Sequence, residues 1–213
     1  MSSPDSLLTL SLPDLFGDDV FRIESRRLWL RWPTPGDALR MHEIAAGETA
    51  ARGAGAAPHP LLAGEPLARI ADARAVNAAG SGLVLALSSK ARPGDVIGLV
   101  SLEVTRKQSL SLCFVLDVRH QGSGLMTEAV RALTQAVFSF APHRAICGPA
   151  GLTNYAAQRV LEKCGFRAAG NAAVAAAGQR LQLTRSVWHG RSTGLGETDG
   201  DGPSADTPCS CAA

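Results

Sequence analysis

Three apolar runs lie close together in the middle of the chain: LVLALS (residues 83–88), VIGLVSLEV (96–104) and LSLCFVL (110–116). Only ARPGD and RKQS separate them, connections short enough for hairpins. Strands joined this tightly pair antiparallel, because a parallel pair needs a crossover of a dozen or more residues. The spacing predicts an antiparallel meander. The chain then changes character. DVRHQGSGLMTEAV (117–130) packs Gly122 and Gly124 into three positions between the last apolar run and a helix-forming segment. In that segment Met126, Val130, Leu133, Val137 and Phe140 recur at three- and four-residue steps, with Ala129 and Ala136 widening the stripe.

Other elements flank this centre. RRLWLRW (26–32) alternates as a half-buried strand does. TPGD then offers a helix start: Thr34 suits the cap, Pro35 the first helical position and Asp37 the positive end of the dipole. That helix is expected to reach about Ala46. ARGAGAAPHP reads as a loop, and residues 67–79 as a helix ended by AAGSG. After the centre come RAICGPA as a strand, NYAAQRVLEKCGF as a short helix closed by Gly165, and LQLTRSVW as a last strand. The order predicts an α/β fold of the α+β type, with a mixed, largely antiparallel sheet. Residues 1–20 read as an extension in which LLTLSL is an edge strand or a loose segment. Residues 21–189 read as one domain, and 190–213, rich in Gly, Ser, Thr, Asp and Pro, as a disordered tail.

The bulk composition excludes several classes. A chain of 213 residues is long enough for one sizeable domain. A net charge of +2 argues against nucleic-acid and membrane surfaces as partners. No apolar run approaches the ~20 residues of a membrane span. The first residues lack the basic n-region and apolar core of a secretory signal, so a cytoplasmic location is expected. Cys113, Cys147 and Cys164 sit in apolar segments as small hydrophobes, and Cys209 and Cys211 lack the second half of a zinc site, so no metal is expected.

A strand entering a helix through glycines leaves backbone N–H groups unpaired at the positive end of the helix dipole. Such a mouth favours an anion, usually a phosphate, and glycine lets the anion approach the main chain. No lysine with Ser or Thr follows Gly124 as a P-loop requires. Thr127 stands where a dinucleotide fingerprint needs a third glycine or alanine. A plain strand–helix turn without ligand is the blander alternative.

Arg119, Gly122 and Gly124 resemble the Arg/Gln-x-x-Gly-x-Gly/Ala signature of the GNAT superfamily of acyl-CoA-dependent N-acyltransferases. A second block, Asn154 to Phe166, is similar to the superfamily's NxxSxxVLEKxGF. RRLWLRWPTPGDALR resembles the opening of the branch that acetylates ribosomal-protein N-termini and some small amines. The resemblance spans about residues 22–188. It implies the GNAT fold, with helices on both faces of the sheet, and acetyl-CoA as co-substrate. It implies an amine acceptor, a protein N-terminus or a small molecule, and leaves room for a homodimer. The amides of Gln121, Gly122, Ser123, Gly124, Leu125 and Met126 would hold the coenzyme's diphosphate, with Arg119 adding charge. Phe114, Val115 and Leu116 would pair with the pantetheine arm. Asn154 would contact the coenzyme or a water, or would cap its helix.

Acyl transfer to an amine needs a base, a stabilised oxyanion and a proton for the leaving thiolate. Glu103 is the candidate base, set against its reading as a solvated glutamate. The hydroxyls that relatives place at positions 157 and 161 are absent: Ala157 and Leu161 stand there. Tyr155, the sole tyrosine, is the candidate replacement acid, set against ordinary packing. Two alternatives stay open: a catalytically weak or inactive acyl-CoA-binding module of the same fold, and a different phosphate binder that shares only the turn.

Overall fold

The computed structural model describes residues 21–51, 64–105, 109–142, 145–148, 154–168 and 181–192. Within them one mixed sheet runs in the order β1 (Arg22–Glu24), β2 (Leu28–Arg31), β3 (Gly82–Ser89), β4 (Arg92–Val104), β5 (Ser109–Leu116), β6 (Ala145–Cys147), β8 (Leu181–Thr184) and β7 (Arg167–Ala168). Every neighbouring pair is antiparallel except β5 and β6. That exception follows from the crossover helix between them, α3 (Leu125–Phe140). The meander foreseen at 83–116 is present as β3, β4 and β5.

Helices cover both faces. On one, Met126, Val130, Leu133 and Val137 of α3 and Leu161 of α4 (Tyr155–Cys164) pack on Leu85, Leu102, Leu110 and Leu112. On the other, Met41 and Ile44 of α1 (Ala38–Ala51) and Ile70 of α2 (Pro66–Ala79) pack on Ala86, Leu99 and Val115. The alternation of β-strand side chains sends neighbouring residues of β5 into different cores.

The start of α1 is built as TPGD suggests. A single 3₁₀ turn, Pro35–Asp37, precedes the helix. The buried Asp37 carboxylate accepts from the Thr34 N–H at 2.7 Å and the Thr34 hydroxyl at 2.8 Å. Both guanidinium arms of Arg31, on β2, reach it at 2.7 and 2.9 Å.

Two expectations are corrected. Phe140 is 62 % exposed, and Phe138 takes the inward position. Its ring meets Trp188 at 5.5 Å between centroids, so the core widens past the simple stripe. LQLTRSVW is a strand only as far as Thr184. There the Thr184 hydroxyl accepts from the Val187 N–H, and α5 (Arg185–Ser192) begins. The extra edge strand is Arg22–Glu24. LLTLSL and residues 193–213 of the expected tail lie outside the described residues.

Candidate functional site

Strands β5 and β6 start side by side and then separate. They pair at Ser109–Ala145, Leu110–Ile146 and Ser111–Cys147, and β6 ends there. The Gly148 N–H turns instead to Leu181 O of β8. β5 continues to Leu116, paired with β4 throughout. Strand alternation shows which groups are left over. The Asp117 N–H bonds Ile97 O, and the Thr105 N–H bonds Ser109 O. Odd-numbered residues of β5, Val115 among them, therefore direct their amide groups at β4. Those of Phe114 and Leu116 point the other way, into the gap. The Leu116 carbonyl there accepts from Gln121 Nε2 at 3.0 Å.

The turn after β5 is held from several sides. Asp117, 7 % exposed, caps a 3₁₀ turn at Val118–His120 by accepting from the Arg119 N–H at 2.9 Å. Its carboxylate also binds the guanidinium of Arg119, at 2.7 Å, and that of Arg40 from α1. Arg119 thus lies folded back on Asp117. Ser123 Oγ donates to His120 O at 2.7 Å. Gly122 and Gly124 both have φ of +76°, the left-handed region that glycine enters without strain. The first main-chain bond of α3 runs from the Glu128 N–H to Gly124 O. Among the described residues nothing accepts from the N–H groups of Gly122 to Thr127. A Cβ at Gly122 would meet nothing within 4 Å. Unpaired donors, open space and a helix dipole fit a phosphate there. Leu125 and Met126 offer only their amides, since the Met126 side chain is buried in the core.

Glu128, in the first turn of α3, ties the turn to the far side of the sheet. It accepts from Ser25 Oγ at 2.7 Å, the Arg27 N–H at 2.6 Å and Arg27 Nε at 2.7 Å. Burial pushes its carboxyl up, but these hydrogen bonds and the Arg27 charge prevail and hold it below the usual carboxylate range. Arg27 Nη1 donates to Ser123 O at 3.1 Å. Neither Arg27 nor Asp117 was legible as a site residue. Arg27 reads as an ordinary polar position of an alternating strand, and nothing local marks a partner 96 positions away.

The remaining candidates do not converge. Glu103 is exposed on β4, in register with Ser111, the last residue of β5 that pairs with β6. It lies in a strand, not a turn, on the face shared with Ser101 and Cys113 and next to the gap. Tyr155 is 71 % exposed. It stands two residues, about 200° around the helix, from Ala157, which packs inward, so it faces away from the sheet. That geometry lends the reading of Tyr155 as the acid no support. Asn154 Oδ1 accepts from the Ala157 N–H at 3.0 Å and caps α4. A cavity of about 20 Å³ between α1, α2 and Leu99, lined by His42 and Arg69, has room for roughly one water and lies apart from the turn.

A sheet parted beside an amide-lined helix mouth suits a ligand that carries an anionic group. A family model described as an acetyltransferase (GNAT) domain matches residues 27–167. The chain belongs to this acetyltransferase family. Among solved structures it is similar to the ribosomal-protein-S5-alanine acetyltransferase of Vibrio fischeri, with 16 % identity and TM-score 0.64 over 79 % of this chain and 98 % of that one. It is also similar to RimL, a ribosomal L7/L12 alpha-N-protein acetyltransferase in complex with coenzyme A, with 15 % identity and TM-score 0.63 over 77 % and 98 %. A third is a spermidine N-acetyltransferase chimera from Vibrio cholerae and hSSAT, with 16 % identity and TM-score 0.59 over 76 % and 98 %. No curated protein sequence matches significantly.

Proposed function

We propose that the protein moves an acetyl group from acetyl-coenzyme A to a primary amine, a peptide N-terminus or a small molecule, by direct attack. The observation that carries this reading is the row of unpaired N–H groups from Gly122 to Thr127 beside the gap between β5 and β6. The amides would hold the diphosphate, and Phe114 and Leu116 would pair with the pantetheine arm once Gln121 Nε2 leaves the Leu116 carbonyl. When bound, the thioester supplies the acyl carbon: the amine nitrogen bonds to it, the carbon–sulfur bond breaks, and the coenzyme leaves as a thiolate that takes a proton from solvent. Glu103 would take the proton lost by the amine through water and return it to solvent. No side-chain acid is assigned, and a thiolate is a weak enough base to leave without one. The proposal includes a cytoplasmic location; no helix of the described residues is long and apolar enough to cross a membrane.

The first test is thiol release from acetyl-CoA with a panel of amines. Glu103→Gln should lower turnover about tenfold or more at neutral pH and less at high pH. An unchanged pH profile removes Glu103 from the reaction. A second reading, a module that binds acyl-CoA without turnover, is favoured by Ala157 and Leu161 at the hydroxyl positions. It predicts coenzyme binding with no thiol released for any amine.

A further inference from the structure

We propose, resting on the cofactor reading above, that Arg27 is a positioning residue that aims the Gly124 amide at the coenzyme's diphosphate. The side chain is clamped. Glu128 holds Nε at 2.7 Å and the Arg27 main-chain N–H at 2.6 Å, and Ser25 Oγ shares the same carboxylate oxygen as that N–H at 2.7 Å. A guanidinium is planar and rigid, so fixing Nε fixes the direction of its other arms. One of them, Nη1, donates to Ser123 O at 3.1 Å, and Nη2 sits 3.8 Å from where a Gly124 Cβ would stand.

The peptide bond transmits this. In a trans peptide the carbonyl and the adjoining N–H point in opposite directions. Drawing Ser123 O toward β2 therefore turns the Gly124 N–H away from β2, to the side where no described residue accepts from it. Gly124, at φ +76°, is like Gly122 an otherwise easily rotated link of the turn. The Ser123 side chain pins the opposite end of the same residue through His120 O.

The test compares ligands with and without the diphosphate. Binding of coenzyme A and of pantetheine is measured for the wild type, Arg27→Gln and Arg27→Lys, with melting temperature alongside. Arg27→Gln should weaken coenzyme A about tenfold while leaving pantetheine within about twofold, since only the former meets the turn. With the acetylated ligands the loss should appear in KM for acetyl-CoA and not in kcat. Should Arg27→Gln fail to fold, Arg27→Lys carries the test. Its ammonium keeps the charge opposite Glu128 but cannot also reach Ser123 in the same fork, so the same selective loss is expected. Equal losses for both ligands, or none for either, overturn the proposal and leave Arg27 structural. A wild type that fails to bind coenzyme A overturns the cofactor reading itself.

Discussion

Gly122 and Gly124 share a backbone angle and differ in surroundings. A side chain at Gly122 would enter empty space, whereas at Gly124 it would approach Arg27 Nη2. The cost of Gly122→Val to the fold is therefore conformational alone, about 1–2 kcal/mol for a left-handed residue. The same isopropyl group would stand where an anion must approach, so coenzyme A affinity should fall at least about tenfold. Denaturant unfolding and a coenzyme titration on one preparation check both halves. An affinity unchanged beside that loss of stability means that the turn is not the site. The glycine pair was legible because few residue types are comfortable at such an angle, so the sequence must declare it. Arg27 and Asp117 were hidden because a hydrogen bond across the sheet leaves no periodicity behind.

Helices and strands were read where a single local rule governs them and missed where two elements compete. Gly80 and Gly165 close α2 and α4 in the left-handed conformation, as terminal glycines do. The end of α3 was misjudged because Trp188, far along the chain, decides which phenylalanine is covered. LQLTRSVW alternates well enough for a strand, yet Thr184 can cap a helix that starts at Arg185. In α4, Leu161 is fully buried beside Gly148, whose missing side chain leaves it room. A tyrosine at 161 would need space that this packing does not leave. The best-defined joint is Arg31–Asp37, between β2 and α1. Burial pushes the Asp37 carboxyl up, but Arg31 and Thr34 outweigh it and hold it below its ordinary value. A depressed carboxyl stabilises the fold above its unfolded pKa, and that contribution is lost as pH falls through the folded one. Stability should accordingly decline from neutral toward strongly acid pH. Asp37→Asn should be less stable at neutral pH and show a shallower acid decline, measured by thermal unfolding across pH. A slope equal to wild type would show that the pair does not couple to folding.

At the scale of the whole molecule, the sheet's order was only partly legible. The meander dictates its own pairing, but nothing local says how far β5 and β6 run together before separating. That length is set by Gly148 turning to β8 and by β4 holding β5 straight. Gly98 is central to the second constraint: a Cβ there would stand 2.7 Å from Val115 O and 2.9 Å from Leu116 Cδ1. A main-chain carbonyl cannot move aside as a flexible side chain would. Gly98→Ala should therefore destabilise the fold by about 1–3 kcal/mol. It should also weaken coenzyme binding beyond what unfolding explains, because the displaced segment borders the gap. A variant as stable as wild type would mean that β4 and β5 are freer to slide than their register suggests.

Sheets ordinarily offer unclaimed pairing groups only along their outer rims, where another polypeptide can attach and start aggregation. Here Phe114 and Leu116 carry such groups within the sheet, with β4 on one side, and the Leu116 carbonyl is already met by Gln121 Nε2. Set inside the sheet, this stretch of backbone is kept from the rim, where a neighbouring molecule could add a strand.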